Sequence, residues 1–345
     1  MKSKRRPTKE IKIGRIKIGN FNPIRVQSMT KSKTANWLKV VKEIKRLELA
    51  NCEICRLAIK DEEDLEAIPK IKAKTTLPLV GDIHFNYQLA IEGIKRGLDK
   101  IRINPANIKE EWKWREICRL ARDKEIPIRI GLNTGSFRTS SYHDKLFSLL
   151  DKVVNQFEKN HFSLIVISAK TTIPQELIEI NRKISEKYPY PLHLGLTEAG
   201  LPFEGGIRSA LSLAPLLLEG IGDTMRVSLT GDSVLEVDAA YEILQGLGLR
   251  QIKPIFISCP TCGRCEVNLI KVAKEVKREL KDLKRYLRIA VMGCEVNGPG
   301  EASQADYGIA CGRNSGVIFQ KGKIIKKEKA GRLVKEFVRL IRGDN

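Results

Sequence analysis

From Ile24 onward, short runs of β-branched and aliphatic residues alternate with longer stretches whose apolar positions recur every three or four residues. The short runs are IRVQSM from Ile24, ICRLAI from Ile54, LVGDIHF from Leu79, KIRINP from Lys100, PIRIGLNTG from Pro127, LIVISAK from Leu164, LHLGLTEAG from Leu192 and TMRVSLT from Thr224. Between them, stretches such as NWLKVVKEIKRLELA from Asn36 and EEWKWREICRLARDKE from Glu110 carry the helical period. Near-continuous apolar strands separated by amphipathic helices form the pattern of a parallel sheet with crossover helices. Eight such units in about 230 residues match the count and length of a closed (β/α)8 TIM barrel, with a doubly wound open sheet as the competing arrangement. Ahead of them, EIKIGRIKIG places two IKIG runs around Arg15, which predicts a hairpin sealing the barrel floor.

After Arg250 the rhythm stops. The sequence predicts a barrel over 1–250 and a small α+β domain over 251–345. The second domain reads as a strand over 255–258, a helix over 267–284, a strand RIAVMG, a glycine-rich loop NGPGEA, paired strands over 316–325 and a closing helix from Gly331.

The 345 residues are 42% hydrophobic and 30% charged, which excludes a disordered or collagen-like chain and allows a sizeable core. No run approaches the roughly 18 apolar residues of a membrane-spanning helix, and the basic opening MKSKRRPTKE is not followed by an apolar segment. A cytosolic protein without a membrane partner is expected. Eight cysteines are too sparse for a disulfide scaffold, so metal or redox chemistry becomes the question. The net charge of +21 favours anionic partners. It is spread along the chain, and no block of like charge marks a nucleic-acid tail.

In a TIM barrel, polar side chains at the C-terminal ends of strands line the active site. Here they include Gln27 and Ser28, Arg56, Asp82 and His84, Arg102 and Asn104, Arg129 and Asn133, Lys170, His193 and Glu198, and Arg226 and Ser228. Arg56, Arg102, Arg129, Lys170 and Arg226 interrupt apolar runs, where an unpaired charge costs several kcal/mol. The nearby carboxylates are Asp82, Glu198 and Asp223. Internal ion pairs could account for part of the cluster, but the imbalance favours a ligand with at least two phosphate groups, since guanidinium forks match phosphate oxygens.

The second constellation is CPTCGRC, with Cys259, Cys262 and Cys265, followed by GCEVNGPGE, with Cys294 and Glu301. A zinc ribbon would need a second, separate CxxC or paired histidines beyond this run, and neither occurs. Thiolates from Cys259, Cys262 and Cys294 suit a 4Fe-4S cluster with one iron left for an oxygen ligand, for which Glu301 is the nearest candidate. Cys265 continues a ferredoxin-like CxxCxxC spacing and stays open as a ligand. Cys52, Cys55 and Cys118 read as small buried hydrophobes.

The ordered set VQSMT, DIHF, RINP, IRIG, HLGLTEAG, GIGDTMRVSLT, CPTCGR and VMGCEVNGPGEA resembles the IspG/GcpE family of 4-hydroxy-3-methylbut-2-enyl diphosphate synthases across essentially the whole chain. It looks like the two-domain bacterial form. The resemblance implies reductive ring opening of 2-C-methyl-D-erythritol 2,4-cyclodiphosphate by an iron-sulfur oxidoreductase with a 4Fe-4S cluster, fed by ferredoxin or flavodoxin. It also implies a homodimer whose active site is shared between chains. Carried over by motif, Cys259, Cys262, Cys294 and Glu301 would hold the cluster. Arg56, Arg102, Arg129, Asn133 and Lys170 would hold the diphosphate, with Ser258 and Arg264 near the cluster. His193 and Arg226 join the expected substrate contacts, and Glu198 would be the acid-base group. Ala106 and Gly81 depart from the family pattern, as does SAKTT from Ser168.

The rival from another class is a nucleic-acid-binding protein with a structural metal site, motivated by the charge and by CPTCGRC. A radical enzyme is a further rival, but the CxxxCxxC run expected near a barrel's first strand is missing.

Overall fold

A computed structural model of the chain describes residues 5–108, 110–133, 135, 142–294 and 302–343. It divides into two compact units, 1–250 and 251–345.

The first unit opens on an antiparallel hairpin of β1 (Ile11–Ile13) and β2 (Ile16–Ile18), with Ile11 opposite Ile18 and Gly14 in the left-handed turn. Ile11, Ile13 and Ile18 are buried and pack on Ile54, Val80 and Val166. Those three side chains sit near the starts of their strands, so the hairpin caps the barrel floor, as the paired IKIG runs predict.

The barrel then alternates strands and helices: β3 (Arg25–Met29), α1 (Trp37–Leu49), β4 (Ile54–Ala58), α2 (Glu62–Lys72), β5 (Leu79–Ile83), α3 (Tyr87–Lys95), β6 (Lys100–Ile103), α4 (Glu111–Asp123), β7 (Ile128–Asn133), α5 (Tyr142–Lys159), β8 (Ile165–Lys170), α6 (Pro174–Lys187), β9 (His193–Leu194), α7 (Pro202–Leu218), β10 (Thr224–Met225) and α8 (Ser233–Gly246). Asn36 starts α1 by accepting from the Lys39 N–H, and Asp61, Asn86 and Asp232 cap α2, α3 and α8 in the same manner. The eight strands run in the order β8-β7-β6-β5-β4-β3-β10-β9. A parallel bridge between Ile167 and Leu192 joins the two edges, so the sheet curls into a nearly closed barrel rather than an open layer. Each predicted run contains a strand. Yet β9 and β10 keep only two residues each. Beyond Leu194 comes Gly195, where a side chain would strike the Arg226 carbonyl and the Lys170 ammonium.

Alternate residues face inward, and the strand register sorts them into tiers. The lowest holds Ile54, Lys100, Val166 and Thr224. Gln27, Val80, Arg129 and His193 come next, and Arg56, Arg102, Ser168 and Arg226 lie above them, toward the C-terminal mouth.

The second unit contains β11 (Ile255–Ser258), α9 (Leu269–Glu279), β12 (Arg288–Met292), β13 (Tyr307–Cys311), β14 (Ser315–Gln320), β15 (Lys323–Lys329) and α10 (Ala330–Arg342), with strand order β11-β12-β13-β14-β15. The first three strands are parallel and the last pairings antiparallel. Leu269, Val276, Ile289, Val291, Ile309, Ile318, Leu333 and Phe337 form its core. Helix α9 is shorter than the predicted 267–284, because Asn268 caps its start and the chain leaves the helix after Leu280. Sequence reading missed β13. Its Gly308 weakens the strand signal, but the bare Cα is what accommodates the Phe319 ring.

Candidate active site

The barrel interior gathers Arg56, Lys100, Arg102, Arg129, Lys170 and Arg226, while Asp82 and Glu236 are the carboxylates that reach these cations among the described residues. Asp82 accepts from Arg102 Nη1 at 3.1 Å and lies 3.6 Å from Arg56 Nε and 3.7 Å from His84 Nε2. Burial alone would raise the Asp82 carboxyl, but Arg56, His84, Arg102 and Arg129 outweigh it and hold it well below the usual range. Arg102 is further fixed by a 3.0 Å bond from Nη2 to the Gly131 carbonyl and by His84 Nε2 at 2.6 Å. A Cβ at 131 would come within 2.4 Å of Arg102 Nε, so glycine there lets that guanidinium keep its place.

Arg226 departs from the sequence expectation of a cation awaiting an anion. Its Nε and Nη2 each lie 2.9 Å from the two oxygens of Glu236, which projects from α8 and also accepts from Ser28 Oγ and Lys31 Nζ at 2.9 Å. Sequence reasoning missed Glu236 because it looked for carboxylates on strand ends, and the only trace was an acidic residue on the buried face of a helix. Asp223, which the sequence offers to these cations from just before the last strand, belongs to the floor instead. There it meets Arg5 at 2.9 Å, Thr8 at 3.2 Å and the Leu192 N–H at 2.9 Å. The position is set by its place immediately before β10.

Arg129 and Lys170 are buried, and no bond to either side chain is found among the described residues; Arg129 Nε and Nη1 are orphaned. Burial pushes Lys170 well down from the usual lysine range, and Arg129, Arg56, Arg226 and Arg102 push the same way. Arg56 is lowered to about 10 by burial, with Asp82 opposing. His193 is fully buried, with Nδ1 2.8 Å from Thr224 Oγ1 and Nε2 unpartnered among the described residues. Burial, and after it the Arg129 guanidinium, keep its imidazole neutral. Guanidinium groups hold their protons even in such surroundings, so the excess charge is relieved at lysine and histidine.

Of the remaining candidates, Asn133 ends β7 half-buried, and Asn104 is buried just beyond β6 with its side chain accepting from the Ala106 N–H at 3.2 Å. Glu198 is exposed on the loop after β9, with a left-handed backbone (φ 53°), and is not drawn into the cation cluster. Cys52, Cys55 and Cys118 are buried as expected, and burial raises all three thiols, Cys52 to about 12.

In the second unit, β11 and β12 are parallel neighbours with Ser258 opposite Val291, so Cys259 and Cys294 both emerge at C-terminal strand ends. The Gly293 N–H points to Cys259 Sγ at 3.4 Å, the type of bond that supports a metal-bound thiolate. Cys262, Ser258 and Arg264 are exposed. Cys265 is half-buried against Gly293, with its thiol 3.3 Å from the Val267 carbonyl. All of these thiols are free. Among the described residues no three Cys, His, Asp or Glu side chains converge on a single ion. An iron-sulfur cluster asks for something else, namely thiolates spread over separate irons, and free thiols at adjoining strand ends with an N–H donor fit that demand. Glu301 lies outside the described residues.

The fold and site define a TIM-barrel enzyme carrying a cysteine-bearing C-terminal domain. In fold alone, the chain resembles dihydropteroate synthase of Yersinia pestis, with a TM-score of 0.53 and 9% identity, over 69% of this chain and 98% of that one. Its sequence matches the GcpE TIM-barrel domain over residues 8–241 and the GcpE protein C-terminal domain over residues 255–343. It is 46% identical to the 4-hydroxy-3-methylbut-2-en-1-yl diphosphate synthase (flavodoxin) of Thermodesulfovibrio yellowstonii, covering 98% of this chain and 99% of that protein. It is 48% identical to the protein of the same name from Caldicellulosiruptor saccharolyticus, covering 97% and 98%. The chain belongs to the GcpE family. The nucleic-acid alternative finds no support, since these barrel cations are buried where a polynucleotide backbone cannot reach. No helix among the described residues is long and apolar enough to cross a membrane.

Proposed function

We propose that this chain catalyses the reductive ring opening of 2-C-methyl-D-erythritol 2,4-cyclodiphosphate to 4-hydroxy-3-methylbut-2-enyl diphosphate, a step of non-mevalonate isoprenoid synthesis. The observation that carries the reading is the barrel interior, where Arg129 and Lys170 lie buried without an acidic partner among the described residues, beside Arg56 and Arg102, which share one carboxylate. A diphosphate supplies the missing negative charge. Arg56, Arg102, Arg129, Asn133 and Lys170 hold it, His193 offers a neutral Nε2 from below, and Arg226, fixed by Glu236, borders the seat.

The reaction breaks a carbon–oxygen bond to phosphate and removes a hydroxyl as water, so it needs two electrons and protons. A 4Fe-4S cluster held by Cys259, Cys262, Cys294 and Glu301, with Ser258 and Arg264 beside it, would supply those electrons and a Lewis-acidic iron. Arg56, Arg102 and Arg129 neutralise the phosphate oxygen as it departs. Glu198 is the carboxyl for proton transfer at the barrel mouth. Flavodoxin, named for the relatives, is the electron donor, with ferredoxin as the alternative. The working form is a cytosolic homodimer whose active site is shared between chains.

The test is an anaerobic iron and sulfide assay with a visible spectrum, with and without the cyclodiphosphate, repeated on Glu301→Ala. About four irons and four sulfides per chain, a spectral change on adding substrate to the wild type, and product formed with reduced flavodoxin would support the reading. Bound zinc, or a cluster indifferent to the cyclodiphosphate, would overturn it.

A further inference from the structure

Lys100 begins β6 and is fully buried, and its Nζ has no hydrogen-bond partner among the described residues. It belongs to the lowest inward tier, where its companions are Ile54, Val166 and Thr224 and where the isoleucines of the hairpin pack from beneath. The charged and titratable groups facing it are Arg129 from β7 and Arg56 from β4, with the His193 imidazole of β9 also within electrostatic reach. The only hydroxyl in its tier, that of Thr224, is taken by His193. Neither of the two lowest tiers contributes a carboxylate. Asp82 is occupied with Arg56, Arg102 and His84, and Glu236 with Arg226, Lys31 and Ser28.

A purely structural residue at this depth would be apolar, like Ile54 and Val166. A lysine differs from the arginines above it in one relevant respect: it gives up its proton readily when buried among like charges, whereas a guanidinium does not. We propose that Lys100 completes the anion site from below, lying uncharged in the free enzyme and taking up a proton from solvent when the diphosphate seats above Arg129 and Arg56. This rests on the diphosphate reading given above and adds a residue and a proton to it. Burial and the neighbouring arginines hold the free amine well below its ordinary range, and a polyanion reverses the sign of the field it feels. The sign of the linkage follows. Between its free and bound ionisation ranges Lys100 gains a proton on binding, so affinity falls as pH rises, by about tenfold per pH unit for each linked proton.

Titration calorimetry tests this on the anaerobic holoenzyme with the cyclodiphosphate, at one pH, in buffers of low and high ionisation enthalpy. The wild type should show a buffer-dependent heat equivalent to proton uptake. Lys100→Met should take up about one proton fewer and bind more weakly. Lys100→Arg, charged throughout, should lose the same proton while keeping wild-type affinity or better, and it carries the comparison if the methionine variant does not fold. Equal proton uptake in the wild type and either variant would overturn the proposal and leave the diphosphate reading standing. No binding by the wild type would overturn both.

Discussion

Arg226 and Glu236 form a two-point ion pair, Nε to Oε2 and Nη2 to Oε1, both at 2.9 Å, that ties the segment after β10 to the buried face of α8. Glu236 is 1% exposed and also accepts from Ser28, so removing its charge strands a buried guanidinium. Glu236→Gln should therefore destabilise the protein by about 3 kcal/mol. Urea unfolding at neutral pH checks this, and a loss below about 1 kcal/mol, the range of an exposed pair, would mean water reaches the pair.

Asp82 and Glu236 both have carboxyls held below their ordinary range, against the opposing effect of burial. For a depressed carboxyl the stabilisation is complete above the unfolded value, about 4, and is lost as pH falls through the lower folded value. The neutral, buried His193 makes stability fall already as pH drops through about 6.5, its unfolded value. The part of the stability that Asp82 and Glu236 supply should instead hold steady from neutral pH down to about 4 and decline below it. In Glu236→Gln the decline should be shallower, which unfolding midpoints across the acid range would reveal.

Gly131 lets Arg102 lie flat against β7 and donate to the Gly131 carbonyl. Gly131→Ala should displace that guanidinium and weaken cyclodiphosphate binding by roughly tenfold, about 1.4 kcal/mol, while the visible absorption of the holoenzyme is retained. An unchanged Kd would show that Arg102 reaches the ligand by another path.

Cys294 and Cys265 should part company on substitution. Cys294→Ser should abolish the broad visible absorption of the reconstituted protein, because its thiol is a proposed iron ligand at the end of β12. Cys265→Ser should keep that absorption, since its thiol is turned against Gly293 and the Val267 carbonyl. A bleached Cys265→Ser would bring that thiol into the ligand set.

Much of this molecule is written in local pattern. The eight apolar runs, the doubled IKIG around Arg15 and the cations on alternate strand positions fix a barrel, a plugged floor and a positive interior, because burial and strand period act over a few residues. The cysteine spacing likewise marks the second unit as a metal-binding or redox domain. Which carboxylate meets which cation is a different kind of fact. Asp223 stands in sequence as a carboxylate for the strand cations and is held by Arg5 at the floor, whereas Glu236, silent in sequence, meets Arg226 because α8 packs against β3, the neighbour of β10. Lys170 stands out in sequence as a cation at a strand end, whereas Lys100, the first residue of its run, passes unmarked there; only the fold shows that one ends its strand toward the mouth and the other begins its strand beside the floor. Sequence determined which side chains point inward. Only the closed barrel, through the stagger of its strands and the return path of its helices, decided the height of each charge and whether a partner stands within reach.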